Sequence, residues 1–106
     1  MITYEDFRKV ELKIATIKEA KPHPNADKLY VVTVDINGVA RQVVAGIRLF
    51  YSEESLVGKQ VVVVENLTPA VIRGVESQGM ILAASDESGI SVVSPDRRVQ
   101  DGSLVK

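Results

Sequence analysis

An all-β fold, a small closed or partly closed antiparallel barrel, is what this sequence predicts, and three observations carry it. β-branched runs recur along most of the 106 residues. Between them lies one segment with a helix start signal and room for barely two turns. No strand–helix–strand alternation occurs anywhere.

The elements follow in order. Thr3 to Asp6 resembles a capping box with Asp in the reaching-back position, which opens one helical turn through Phe7 and Arg8. From Val10 the apolar residues alternate through Leu12 and Ile14, break phase at Ala15 and Thr16, and resume at Ile17; this predicts a long strand with a bulge at the break. Lys21 to Lys28, holding Pro22 and Pro24, reads as a loop, because each proline removes a backbone donor and disfavours helix before it. Leu29–Ile36 and Val39–Ala45 are β-branched runs joined by Asn37-Gly38, the pair best suited to a type I′ hairpin. Ser52 caps a short helix with Glu53 and Glu54 in its first turn and Gly58 near its end. Gln60–Glu65 is almost all valine, too β-branched and too short for a buried helix, and reads as a core strand. A strand pair is predicted at Ala70–Arg73 and Met80–Ala84, followed by a turn at Asp86–Gly89 into Ile90–Val93. Six or seven strands result. Their order fits an OB-fold, a five-stranded Greek-key barrel with one short helix between strands 3 and 4 and extra terminal segments. An immunoglobulin-like sandwich is the rival, but it needs no helix at Ser52–Val57 and usually buries a Trp, which is absent.

Length and composition suit one domain over residues 1–106, and the absence of cysteine excludes a disulfide scaffold. The first residues carry no basic head followed by an apolar run, so the expected location is the cytoplasm, and no apolar stretch approaches the roughly 20 residues that span a bilayer. A net charge of −1 gives no global positive field, so any nucleic-acid role must be local.

Catalysis finds no support. The one imidazole, His23, lies in the proline-rich loop and reads as solvated, which leaves no nucleophilic triad. The acids are scattered, with the pairs Glu53/Glu54 and Asp86/Glu87 serving as helix start and turn, so no metal site and no cofactor are expected. No glycine-rich phosphate loop occurs. Only five aromatic residues are present, so recognition by successive base stacking is weakly supported, and recognition through shape, phosphates and hydrogen bonds suits the chain better. The informative stretch is Asn66–Ser85, where Asn66, Arg73, Ser77, Gln78 and Ser85 stand in otherwise core-like text and Gly74 and Gly79 bracket Val75–Gln78. Such glycines mark a bulge, a tight turn or close approach by another molecule.

Four stretches together resemble the tRNA-binding OB domain that occurs at the C-terminus of many methionyl-tRNA synthetases, in stand-alone structure-specific tRNA-binding proteins and in endothelial-monocyte-activating polypeptide-like cofactors. They are Asp6–Lys13 (DFRKVELK), His23–Leu29 (HPNADKL), Val44–Ile47 (VAGI), and Asn66–Pro69 (NLTP) with Gly74–Met80 (GVESQGM). The resemblance covers nearly the whole chain. It implies a non-catalytic barrel that holds the outer corner of the tRNA L with little anticodon preference. Matched position by position, it carries tRNA binding onto Lys28, Asn66, Arg73, Ser77, Gln78 and Met80, with Ser85 a weaker match. Lys28 and Arg73 have the charge for phosphates, while Asn66, Ser77 and Gln78 can hydrogen-bond sugars and base edges. Relatives often carry basic residues just after the loop proline, whereas Ala70 and Val71 follow Pro69 here, so weak and salt-sensitive binding is expected.

The family's forms are commonly homodimers, which implies that residues 94–106 pack with the segment around Tyr4 and Phe7 across a two-fold axis. The catalytic chain of a methionyl-tRNA synthetase is a further implied partner. A small secretion-associated chaperone family resembles the same barrel, so a peptide-binding dimer is the alternative. The Ser77–Met80 string, which those chaperones lack, favours RNA.

Overall fold

Valine-rich segments pair here as one strongly curled antiparallel sheet. The computed structural model describes residues 1–106. Ten strands form: β1 Leu12–Pro22, β2 Tyr30–Ile36, β3 Val39–Ala45, β4 Gln60–Val64, β5 Ala70–Ile72, β6 Val75–Ser77, β7 Met80–Ile81, β8 Ala83–Asp86, β9 Gly89–Val92 and β10 Leu104–Val105. Two helical turns, α1 Tyr4–Phe7 and α2 Glu53–Leu56, complete the chain. The main path runs β3-β2-β1-β4-β7, with β10 added to β1. The all-β class and the short helix between the third and fourth strands are as predicted.

Local signals account for the ends of the elements. Thr3 accepts from the Asp6 N–H at 3.2 Å while Asp6 accepts from the Thr3 N–H at 3.3 Å, closing the capping box of α1. Ser52 accepts from the Ser55 N–H at 3.2 Å and caps α2, which drops Leu56 into the core. Asn37 and Gly38, at φ 52° and 90°, make the two-residue turn that sets Ile36 opposite Val39.

β1 and β4 are covered on both faces, which explains their departure from simple alternation. Ala15, Ile17, Val61 and Val63 point into the barrel with Val32, Val34, Val43 and Leu56. Leu12, Ile14, Val62 and Val64 form a second cluster outside it, roofed by Phe7, Leu82, Val99 and Val105. Full burial of each such valine contributes roughly 1.5 kcal/mol or more over exposure. The phase break at Ala15–Thr16 is therefore a change in which face is covered and not a bulge. The bulge lies later, at Lys18, where the β1–β2 register shifts between Ile17 and Glu19.

The segment after Pro69 also differs from prediction. Ala70–Ile72 pairs with Val75–Ser77 through a two-residue turn, while Met80–Ile81 joins β4 and Ala83–Asp86 pairs with Gly89–Val92. Three short ladders replace the single predicted pair, so the strand count exceeds six or seven.

Buried polar groups fasten the C-terminal segment to the same chain. The Thr16 hydroxyl donates to the Asp101 carboxylate at 2.8 Å, and the Gln60 amide donates to Val99 O at 2.7 Å and to Asp101 at 2.9 Å. Lys13 Nζ lies 2.9 Å from Glu65, whose carboxylate raises the lysine pKa above its ordinary value of 10.5. No helix is long and apolar enough to cross a membrane.

Candidate nucleic-acid interface

β1 runs on through Lys21 and Pro22, two residues beyond the predicted start of the loop, because both still pair with β2; Pro24 and Asn25 then keep residues 23–28 out of regular structure, and a buried histidine holds the loop in place. His23 is 3% exposed, contrary to the solvated position expected of it. Its Nδ1 accepts from the Asn25 N–H at 2.9 Å, which leaves Nε2 as the donor to Ile72 O at 3.0 Å. The imidazole thus ties the loop to β5.

Across that contact sits the β5–β6 turn. Arg73 and Gly74 adopt φ 53° and 91°, the same left-handed pair as Asn37-Gly38 but with an arginine in the first place. Arg73 donates to Asn25 O at 3.1 Å while its own carbonyl accepts from the Asn25 amide at 3.3 Å. On the other side Arg48 donates to Ala26 O at 3.1 Å, and its backbone N–H reaches Lys28 O at 3.4 Å. Lys28, Arg48 and Arg73 therefore converge on one loop. The salt bridges of the molecule engage only Arg8, Lys9, Lys13 and Lys21, so the three cations at the loop have no carboxylate within 4.0 Å. Sequence reasoning missed Arg48, because only the folded loop shows its contact with Ala26.

Ser77 and Gln78 join the two sides of the barrel. β7 does not ladder with β3, and side chains bridge the gap instead. Ser77, 3% exposed, accepts from the Val44 N–H at 2.9 Å and donates to Gly79 O at 2.9 Å. The Gln78 N–H donates to Gln42 O at 2.7 Å, and its side-chain Oε1 accepts from the Gln42 N–H at 3.0 Å. Gln78 thus completes a ladder rung with an amide in place of a peptide, and its Nε2 donors are left at a half-exposed position.

The other positions lie apart from the cations. Asn66 accepts from the Glu11 N–H at 2.9 Å and donates to Lys9 O at 2.7 Å, so both ends of its amide clasp the N-terminal segment. Asn66→Ala is accordingly expected to cost about 1–2 kcal/mol of stability, read as a lowered midpoint in urea with unchanged slope. Met80 is 44% exposed while its neighbour Ile81 is buried, and it stands opposite Val64. Ser85 is exposed on β8 opposite Ile90.

Between the cationic loop and the closing segment runs an apolar cleft of about 510 Å³, with Val44, Ile47, Leu67, Ile72, Met80 and Ile90 in its walls. No group of three His, Cys, Asp or Glu side chains forms a metal site. An apolar cleft beside unpaired cations suits a polyanion that also exposes flat apolar surface.

Residues 12–104 match the family model described as "Putative tRNA binding domain". Over 99% of its length the chain is 48% identical to the methionine–tRNA ligase of Pyrococcus furiosus, and it spans only 14% of that relative. Among solved structures, a MetRS related protein from Pyrococcus horikoshii superposes with a TM-score of 0.92 at 32% identity, covering 100% of this chain and 98% of the other. A CsaA chaperone protein from Picrophilus torridus superposes at 0.93 with 27% identity and full coverage of both.

Proposed function

The chain belongs to the tRNA-binding domain family, and from that we propose that it holds folded tRNA by its outer corner, without catalysis and with little preference among anticodons. The observation that carries this reading is the convergence of Lys28, Arg48 and Arg73, all without carboxylate partners, on the loop that His23 fixes. Arginines held by backbone carbonyls are pre-positioned for phosphates, and the half-buried Gln78 amide and the exposed Met80, on the closing segment apart from them, supply a hydrogen-bond donor and an apolar contact. Shape and backbone contacts of this kind select folded RNA without reading a sequence.

The setting is the tRNA-charging machinery of the cytoplasm. The domain acts as the C-terminal or β module of a methionyl-tRNA synthetase, or as a stand-alone homologue, and raises tRNA occupancy by tethering. A homodimer fits the surface: Ile2, Tyr4, Val10 and Leu104 are 71, 68, 42 and 55% exposed, around a hollow of about 370 Å³ between α1 and β10. Sedimentation equilibrium at tens of micromolar is expected to give a dimer, and Tyr4→Glu with Leu104→Glu a folded monomer; a monomeric parent protein contradicts the dimer.

The apolar cleft and the likeness to the CsaA chaperone protein favour peptide binding as a second reading. Fluorescence anisotropy against total tRNA and against an unfolded apolar peptide separates the two. Preference for tRNA, steeply reduced by salt, is the expected result; peptide binding without tRNA binding reverses the order.

A further inference from the structure

Apart from Arg41 and Lys106, the cations of this chain without an ion pair fall into two groups, and only one of them lies at the loop already described. Between the start of β4 and the segment after β9, Gly58, Lys59, Ser94, Asp96, Arg97 and Arg98, with Gln60 and the Pro95 ring, line a mostly polar depression of about 250 Å³. Lys59, Arg97 and Arg98 have no carboxylate within 4.0 Å, and Lys18 is exposed at the β1 bulge. Backbone bonds lock the bulge to this region, with Ile17 N–H donating to Lys59 O at 2.9 Å and Gly58 N–H donating to Ile17 O at 2.8 Å.

Both guanidinium groups are held. Arg98 donates to Gly58 O and to Thr16 Oγ1, each at 3.4 Å, and Arg97 donates to Arg98 O at 3.1 Å. No nearby carboxylate pairs with them directly: Asp101 accepts from Thr16 and Gln60, and Asp96, in the wall of the depression, forms no ion pair. Side chains fixed on protein acceptors, with charge unspent, are the arrangement that binds phosphate oxygens at low entropic cost.

We propose that this depression is a second phosphodiester-binding surface, which grips the RNA backbone at a point removed from the Lys28–Arg73 loop. The proposal rests on the tRNA reading and extends its footprint. From Lys18 to Pro22, where β1 ends before the His23 loop, the strand extends about 13 Å, so one protomer engages phosphates of separate nucleotides. A grip at two separated points explains how a chain with a net charge of −1 holds a polyanion: attraction is concentrated where carboxylates are withheld.

The test uses the full chain and fluorescently labelled total tRNA, titrated by anisotropy across a series of salt concentrations. Lys59→Ala with Arg97→Ala is the variant of choice, because Arg98 also braces Gly58 and Thr16. The expected result is roughly tenfold weaker binding at low salt, with the slope of log affinity against log salt reduced by about 1.5 units for the two lost phosphate contacts. Lys21→Ala, which removes a cation already paired with Glu19 at 3.3 Å, serves as the charge control and is expected to leave the slope unchanged. Unchanged affinity and slope in the double variant, with Lys28→Ala and Arg73→Ala still weakening binding, overturns the second surface and leaves the tRNA reading intact. A parent protein with no affinity for tRNA overturns both.

Discussion

Replacing Gly79 by alanine is expected to destabilise the fold by about 3 kcal/mol. Gly79 sits at φ 149°, a backbone region that L residues rarely occupy, and a Cβ there would stand 2.7 Å from Val64 O. Strain of this kind costs about 1–3 kcal/mol, and pressing a carbon against backbone adds a comparable amount. The obstacle cannot be relieved by a rotamer, since Val64 belongs to the β1–β4 ladder. The consequence reaches further than packing. Ser77 and Gln78, just before Gly79, bond to β3, and Met80, just after it, bonds to β4, so this glycine lies where the sheet closes on itself. A loss of about 3 kcal/mol corresponds to a fall in melting temperature of about 10–20 °C. Thermal unfolding followed by far-UV circular dichroism checks it, and a fall under about 3 °C would show that β3 and β7 close without the tight passage at this residue.

Removing Lys28 and Arg73 together is expected to lower tRNA affinity by about 30-fold at low salt, while stability changes by less than about 1 kcal/mol. Both cations are exposed, neither has a carboxylate to lose, and Arg73 makes one bond, to a loop carbonyl that His23 and Asn25 also restrain. Folding and binding therefore separate at these two positions, unlike at Ser77, where the hydroxyl satisfies the buried Val44 N–H. Anisotropy with the double alanine variant, beside its urea melt, reads both quantities. Parent-like affinity would remove the cationic loop from the interface.

The hairpin, the valine core strand and both helical turns were legible because each rests on chemistry local in sequence. Asn37-Gly38 carries its own φ preference, and Ser52 with Glu53 and Glu54 caps its own helix. The β5–β6 hairpin was not legible for the same reason in reverse: Arg73 in the left-handed region is held by Asn25, 48 residues away, and nothing in an Arg-Gly pair announces it. His23 escaped similarly, since its burial depends on Ile72 O meeting the loop. The misplaced bulge has another origin. A strand covered on both faces loses its period-two pattern, and a covered second face then looks like a break in register.

The candidate site was legible in part. Lys28 and Arg73 come from distant segments, and the structure brings them to one loop, with Arg48 as an unforeseen third. Asn66, Ser77 and Gln78 stood out as polar residues in apolar text, and each has a structural task that makes the same mark: clasping residues 9–11 or closing the barrel. Sequence text alone does not separate a polar group kept for a ligand from one kept for a distant backbone.

Competition binding tests the central claim most directly. Labelled full-length tRNA bound to the chain is challenged with a tRNA lacking its anticodon stem, which retains the outer corner, and with the isolated anticodon stem–loop. The corner-bearing molecule is expected to compete as well as intact tRNA, and the stem–loop at least tenfold more weakly. Equal competition by the stem–loop, or by a single-stranded oligonucleotide of the same length, would contradict recognition of the folded corner and reduce the interface to non-specific attraction for RNA.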